Sequence, residues 1–270
     1  MGRAFGRGLN DAGWNIAAVV ARTQARAAEA VRAIGAGRAF HSLTRLVIAA
    51  DVSLLATPEG AVAPVAKELA RLGGEEWRGK IVLHTGGTLN REVLAPLEKC
   101  GAATGSIAPM QFFGRRASGT FDGILFTVEG NPIAVRMARK IARAVGGLPI
   151  LVRGPKKANC GTAQEMVTAQ VLALVDAGVR LLVDAGFSRR QATRAGLHLS
   201  RAALQNFEQY RGADAWNAAT ITDDANAVEK QSYALAEFPN EYATAYAAAR
   251  RLGESLFPQR ANERNSFSRK

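Results

Sequence analysis

Cysteine, histidine and aromatic residues are scarce in this chain, which has 2 Cys, 3 His and 7% Phe, Trp and Tyr among 270 residues. Cys100 and Cys160 stand far apart with no CxxC, which excludes a disulfide framework and a cysteine-rich zinc site and suits a reducing cytoplasm. The histidines and carboxylates show no metal-ligand spacing, so no metal is expected. No uninterrupted apolar run is long enough to cross a bilayer. The nearest candidate, 166–183, contains Gln170, Asp176 and Arg180, and is expected to be a buried or interface helix with no membrane partner. The opening MGRAFGRGLNDAGW lacks the apolar core of a secretory signal.

What is present suits a folded protein of one large or two modest domains. The 48% apolar and 21% charged residues, with 27 Gly and 9 Pro, exclude collagen-like, low-complexity and wholly disordered chains. The net charge of +12 is spread out: residues 1–150 carry 19 basic and 11 acidic side chains, and 151–270 carry 16 and 12. Nucleic acid is therefore not expected as a partner. The basic tail 259–270, whose aromatic content is Phe267, is expected to be a disordered end.

From residue 15 to about 150, short apolar runs alternate with alanine-rich amphipathic stretches, the pattern of a parallel sheet covered by helices. Strands are expected at 16–21, 52–56, 81–84, 104–107 and 125–128, and helices at 2–12, 24–34, 60–72, 91–99 and 133–145. Gly13 and Gly146 fall where a helix needs a left-handed stop. In such sheets ligands bind beyond the carboxyl ends of the strands. The residues there are Arg22-Thr23, Ala56-Thr57-Pro58-Glu59, His84-Thr85-Gly86-Gly87 and Pro109-Met110-Gln111.

Through LLATPEGAV, VLHTGGTLNREVLAPL, GSIAPMQFF, VEGNP and GPKKA the chain resembles an oxidoreductase family in which a Rossmann-like dinucleotide-binding domain precedes a helical domain of unknown function. That family is related to ketopantoate and pyrroline-carboxylate reductases and to beta-hydroxyacid dehydrogenases. The resemblance implies a dinucleotide-binding domain at 1–153 and a helical substrate and dimerisation domain at 154–258, pairing two subunits into a homodimer.

A dinucleotide fold opens with an apolar strand and the turn GxGxxG, where backbone amides hold the pyrophosphate. Here Gly2, followed by Arg3, looks like the last glycine of that turn, already inside the first helix. The first strand is missing from the sequence. Loss of a central buried strand forfeits on the order of 10 kcal/mol, as much as a domain's whole stability. The coding start is therefore expected upstream of Met1, with a truncated gene product as the other reading.

Selectivity for the ribose hydroxyl of NAD commonly places Asp or Glu after the second strand. Here Ala21-Arg22-Thr23 stands there, and a guanidinium can pair with a 2'-phosphate, so NADP is expected over NAD. A solvent-facing Arg22 is the other reading. Thr57 can donate to a phosphate or ribose and Pro58 fixes its turn, unless TP merely opens a helix. By resemblance, the cofactor-side residues are Gly2, Arg3, Arg22, Thr23, Ala56, Thr57, Pro58, Thr85 and Gly86.

Hydride transfer to a carbonyl or imine also needs a proton donor. His84, at a strand end, is a candidate acid, base or orienting group, or else a structural histidine; His41 and His198 read as structural or surface residues. In GPKKANCGTAQEM the family lysine is retained as Lys156 or Lys157, while Cys160 and Gly161 occupy the family's Tyr-His positions. Ala108 stands for a second family histidine, and only Trp216 survives from a Trp-Thr-Gly-Pro turn. Lys157, or Lys156 with Asn159 three residues on, can supply the proton as lysine and asparagine do in beta-hydroxyacid dehydrogenases; exposed charges are the alternative.

The rest reads as helices at 162–184, 189–210, 223–237 and 241–256, punctuated by Gly186, Gly212 and Pro239, with Ser188 and Gln191 forming a cap. Many of the chain's 52 alanines fall here. The expectation is a cytoplasmic NADP-dependent oxidoreductase acting on a small carbonyl or imine. The alternative is a catalytically degenerate cofactor-binding sensor or partner subunit. Translation of the DNA upstream of the start codon checks the missing strand: an in-frame apolar segment ending in GxG is expected, and its absence defeats the idea.

Overall fold

The computed structural model describes residues 1–111, 121–210, 212–219 and 225–257, so the tail at 259–270 lies outside the described residues. The chain divides into two compact units, Met1–Val167 and Thr168–Lys270.

The first unit runs α1 (Gly2–Asp11), β1 (Ala18–Val20), α2 (Gln24–Ile34), β2 (Arg38–Phe40), α3 (Arg45–Ile48), β3 (Val52–Leu55) and α4 (Glu59–Gly73). It continues with β4 (Ile81–His84), α5 (Ala95–Lys99), β5 (Ala103–Pro109), β6 (Leu125–Gly130), α6 (Pro132–Ala144), β7 (Leu148–Leu151) and α7 (Lys157–Glu165). Local chemistry sets the boundaries. Thr23 accepts from the Arg26 amide at 3.3 Å to start α2, and Asn131 accepts from the Ala134 amide at 2.9 Å to start α6. Gly13 and Gly146, at φ 80° and 85°, occupy the left-handed stops expected of them.

The strands form two sheets, one of β1 and β2 and one in the order β3-β4-β5-β6-β7. No strand among the described residues joins β1 to β3. The expected all-parallel sheet needs one correction, because β6 runs antiparallel to β5, pairing Ala108 with Thr127 and Ser106 with Glu129. An antiparallel neighbour needs no crossover helix, and the segment between these strands shows no helical periodicity in its sequence. Two strands, β2 and β7, escape the sequence reading: β2 has three residues, and β7 is an exposed edge strand containing Pro149.

Alternation along the strands loads both faces of the larger sheet. On one, Leu83, Ile107, Phe126 and Val128 pack with Phe5 and Leu9 of α1 and Val135, Ala138 and Ile141 of α6. On the other, Leu55 and Val82 pack with Val62, Ala66 and Leu69 of α4, and with Trp77, Leu94 and Leu97. Phe5, Phe121 and Phe126 meet as an aromatic trio, with ring centroids 4.8, 5.7 and 5.3 Å apart.

The second unit is helical: α8 (Val171–Asp184), α9 (Arg189–Tyr210), α10 (Gly212–Ala219), α11 (Ala225–Ala234) and α12 (Asn240–Leu256). The cap of α9 forms as a box in which the Ser188 amide donates to Gln191 Oε1 at 3.0 Å and the Gln191 amide donates to Ser188 Oγ at 3.4 Å. Trp216 stacks on Phe257 at 5.8 Å. The helical run Gly154–Asp184, 31 residues, has the length and composition to cross a membrane. Within it, Asp176 pairs with Arg180 at 2.8 Å and also with Arg189 at 2.6 Å.

Phe5 is fully buried in the aromatic trio. Phe5→Ala should cost about 3 to 5 kcal/mol in urea unfolding, whereas Arg7→Ala, which removes an exposed ion pair, should stay within about 0.5 kcal/mol. Equal effects would contradict this core.

Candidate functional site

Alternation puts Leu55, His84, Ser106 and Glu129 in one row across β3, β4, β5 and β6, because they pair in register. The row lies on the face that carries Val82, and toward the carboxyl ends of β4 and β5 it turns polar. His84, Thr104, Ser106, Thr127, Glu129 and Lys157 are all buried. A buried polar row of this kind is costly unless its groups find partners.

Lys157, the first residue of α7, is 0% exposed. Its Nζ donates to Thr127 Oγ1 at 2.5 Å. The Thr127 hydroxyl in turn donates its single proton to the Ala108 carbonyl at 3.3 Å, so toward the lysine it is an acceptor. Burial pulls the Lys157 pKa down to about 8, against the electrostatic pull of its neighbours Cys160, Glu129 and Glu59. Glu129 accepts from the Arg91 amide at 2.8 Å. Burial raises its pKa, and the Arg91 amide and the Lys157 charge oppose that rise.

His84 is placed differently from a free acid or base. Its Nδ1 accepts from the Gly86 amide at 3.1 Å, which leaves the proton on Nε2, 3.2 Å from the Asn90 carbonyl. Burial lowers its pKa to about 4. The imidazole is therefore neutral at pH 7 and pins both ends of the turn after β4. Glu59 at the start of α4 ties down the same turn by accepting from the Thr88 amide at 2.9 Å and from the Thr88 hydroxyl. Burial acts to raise the Glu59 pKa, but the Thr88 and Gly87 donors outweigh it and the net shift is downward.

One face of α7 lies over these strand ends. A Cβ at Gly161 would fall 2.3 Å from Thr88 Cγ2, so only glycine lets the helix approach the turn this closely. Three residues on, Gln164 Nε2 donates to the Gln111 carbonyl after β5 at 3.3 Å. Lys157, Gly161 and Gln164 share that face. Lys156 and Asn159 are exposed, so the expected Lys156–Asn159 pairing is not part of this buried cluster.

The cofactor-side candidates gather at the ends of β1, β3 and β4. A Cβ on Gly2 would lie 3.0 Å from Ala56 Cβ, so the start of α1 abuts the turn after β3. In that turn Thr57 Oγ1 is buried without a hydrogen-bond partner among the described residues, and Pro58 is exposed. The Thr85 amide donates to the Leu55 carbonyl at 3.1 Å and holds the two turns together. Arg22 is exposed beyond β1, Thr23 is engaged as the cap of α2, and Arg3 pairs with Glu29 at 2.5 Å. An orphaned hydroxyl beside a helix start, whose first amides lack intrahelical partners, fits a phosphorylated nucleotide.

The residue-level reading missed Thr127, Glu129 and Thr88, and it named Glu59 and Gly161 by position without a role in the site. In LFTVEG the alternation of polar Thr127 and Glu129 with apolar Phe126 and Val128 marks both as facing away from the α1–α6 core, the one signal that could have found them.

Comparison with known proteins agrees with this fold. The profile of a Rossmann-like domain matches residues 1–109, and that of a domain of unknown function, DUF2520, matches 124–252. No curated protein matches the sequence. The fold is shared with a candidate NADP oxidoreductase from Bacteroides fragilis, 16% identical over 93% of each chain with a TM-score of 0.73. A protein from Thermotoga maritima is 21% identical over 94% of this chain and 95% of that one, TM-score 0.67. An imine reductase from Streptomyces aurantiacus is 15% identical over 94% and 91%, TM-score 0.66.

His84 titrates at 6.5 in an unfolded chain and at about 4 here. Between those values the unfolded state holds the extra proton, so stability falls as pH drops through this window, by up to about 3 kcal/mol from this group. Urea unfolding at about pH 7 and about pH 4.5 should show a shallower decline in His84→Gln than in the wild type; equal declines would contradict a buried neutral imidazole.

Proposed function

The chain joins a Rossmann-like domain to a DUF2520 domain, and from that premise we propose that it is an NADP-dependent oxidoreductase acting on a small carbonyl or imine, with Lys157 as the proton donor. The observation that carries the reading is a fully buried lysine at the carboxyl ends of the sheet, seated on Thr127. NADP(H) supplies or accepts the hydride at the substrate carbon. In the reducing direction Lys157 gives a proton from Nζ to the substrate oxygen or nitrogen and is left as a neutral amine, still able to donate to Thr127. A pKa of about 8 places the ammonium close enough to neutrality to part with that proton.

Thr57 and the start of α1 at Gly2 and Arg3 hold the diphosphate side in this reading. Arg22, exposed and with Arg26 one helical turn on, meets a 2'-phosphate, which favours NADP over NAD. Ala56, Pro58, Thr85 and Gly86 line the path toward the reacting end, and His84 shapes it by fixing the Gly86 turn. Lys156 and Asn159 face outward and have no chemical role. A homodimer through the helical unit belongs to the same reading: Leu172, Leu199, Leu204 and Phe207 are 62%, 64%, 62% and 55% exposed, more apolar surface than a lone helical unit commonly leaves in water. A cytoplasmic enzyme suits it. The second reading, a cofactor-binding sensor without turnover, draws on Gly161, which packs directly on Thr88 where the family resemblance places an imidazole.

Fluorescence titration with NADPH should saturate. Arg22→Asp should weaken NADPH at least about tenfold more than NADH, and equal losses would remove the case for NADP. Lys157→Met should keep NADPH binding and lower turnover of carbonyl or imine substrates by about a hundredfold or more. Unchanged turnover in this variant would overturn the assignment of the acid, and saturable binding with no turnover by the wild type would favour the sensor.

A further inference from the structure

Ionisable groups face Lys157 from each element around it: Glu129 on β6, Glu59 on α4, His84 on β4, and Cys160 on its own helix. Most are committed elsewhere. Glu59 is taken up by Thr88 and the Gly87 amide, and His84 is held between Gly86 and Asn90.

Glu129 differs in where it is clamped. It sits two residues after Thr127 on β6, so both side chains leave the same face of the strand. Its Oε2 accepts the Arg91 amide at 2.8 Å, at the head of the short helical turn Arg91–Leu94. Its Oε1 lies against Gly154, where a Cβ would come within 3.3 Å. Gly154 opens the turn Gly154–Lys156 that delivers Lys157 into the site. One carboxylate thus spans the segment after β4, the turn that carries the lysine, and the strand that supplies the lysine's acceptor.

Resting on the oxidoreductase reading above, we propose that Glu129 is the positioning residue of this site, a fixed buried carboxylate that keeps the Lys157 ammonium charged and seated on Thr127 until the substrate takes its proton. An ammonium has three N–H donors and Thr127 occupies one. Removing water from the other two disfavours the charged form, and the Glu129 charge offsets that loss without occupying the position the substrate needs.

The test follows the lysine itself. In protein labelled with lysine carrying carbon-13 at Cε, the Lys157 signal is identified by its loss in Lys157→Met, and its titration midpoint is read by NMR. The wild-type midpoint is expected at about 8. Glu129→Gln keeps an oxygen for the Arg91 amide and removes the charge, so the midpoint should fall by about one pH unit, with Glu129→Asp between the two. An unmoved or raised midpoint in Glu129→Gln, or Glu129→Asp behaving as the glutamine variant does, overturns the proposal. If Glu129→Gln loses its native circular dichroism, Glu129→Asp decides alone: a fall of about half a unit supports the role, and no fall overturns it. NADPH titration of the same samples separates the two claims. Failure of the wild type to bind NADPH defeats the oxidoreductase reading and leaves the lysine result standing; normal binding with an unmoved midpoint defeats the role of Glu129 alone.

Discussion

The hydrogen bond from Lys157 to Thr127 is the interaction on which the site depends. An ammonium removed from water loses hydration worth far more than a single neutral acceptor returns. It stays folded into the sheet end because Thr127 is obliged to accept and the charge of Glu129, on the same face of β6, opposes the loss. The same bond fixes α7 across the strand ends, which then brings Gly161 onto Thr88 and Gln164 onto Gln111. A neutral residue at 157 would relieve the burial cost and remove the feature that makes this sheet end more than a packed surface.

Around that lysine the turns are cross-tied. His84 holds Gly86 and Asn90, Glu59 holds Thr88, Glu129 holds Arg91, and the Thr85 amide reaches the Leu55 carbonyl. His84 closes its own turn, while the ties from Glu59, Glu129 and Thr85 join segments distant in sequence, so the ends of β3, β4 and β6 and the entry to α7 form one preorganised frame. Such a frame lets a charge develop in a dry site with little rearrangement. The Thr57 hydroxyl, buried in the neighbouring turn, has no hydrogen-bond partner among the described residues, and neither has that of Thr104 in the polar row.

Much of this was legible in the sequence, and the remainder has physical reasons for being hidden. The apolar run 81–84 and the amphipathic period of 24–34 match β4 and α2 residue for residue, because full burial and a clean helical face leave strong patterns. The reversed direction of β6 was hidden because a buried strand has the same composition in either direction; only the want of a helix before it hinted at the pairing. At the site, the paired lysines were visible, but which of them enters the protein depends on the turn at 154–156 that starts α7. His84 drew attention as a strand-end imidazole, yet its function in the frame follows from two backbone groups, those of Gly86 and Asn90, that no residue type announces. Thr127 and Glu129 were legible only as the polar half of an alternation.

A crystal structure of the protein with NADPH bound tests the central claim most directly. The account predicts the diphosphate beside the start of α1 and Thr57, with Lys157 Nζ still on Thr127 and facing the nicotinamide ring across a space the size of one small substrate. A nucleotide bound elsewhere, or a Lys157 side chain turned out into solvent in the complex, would contradict it.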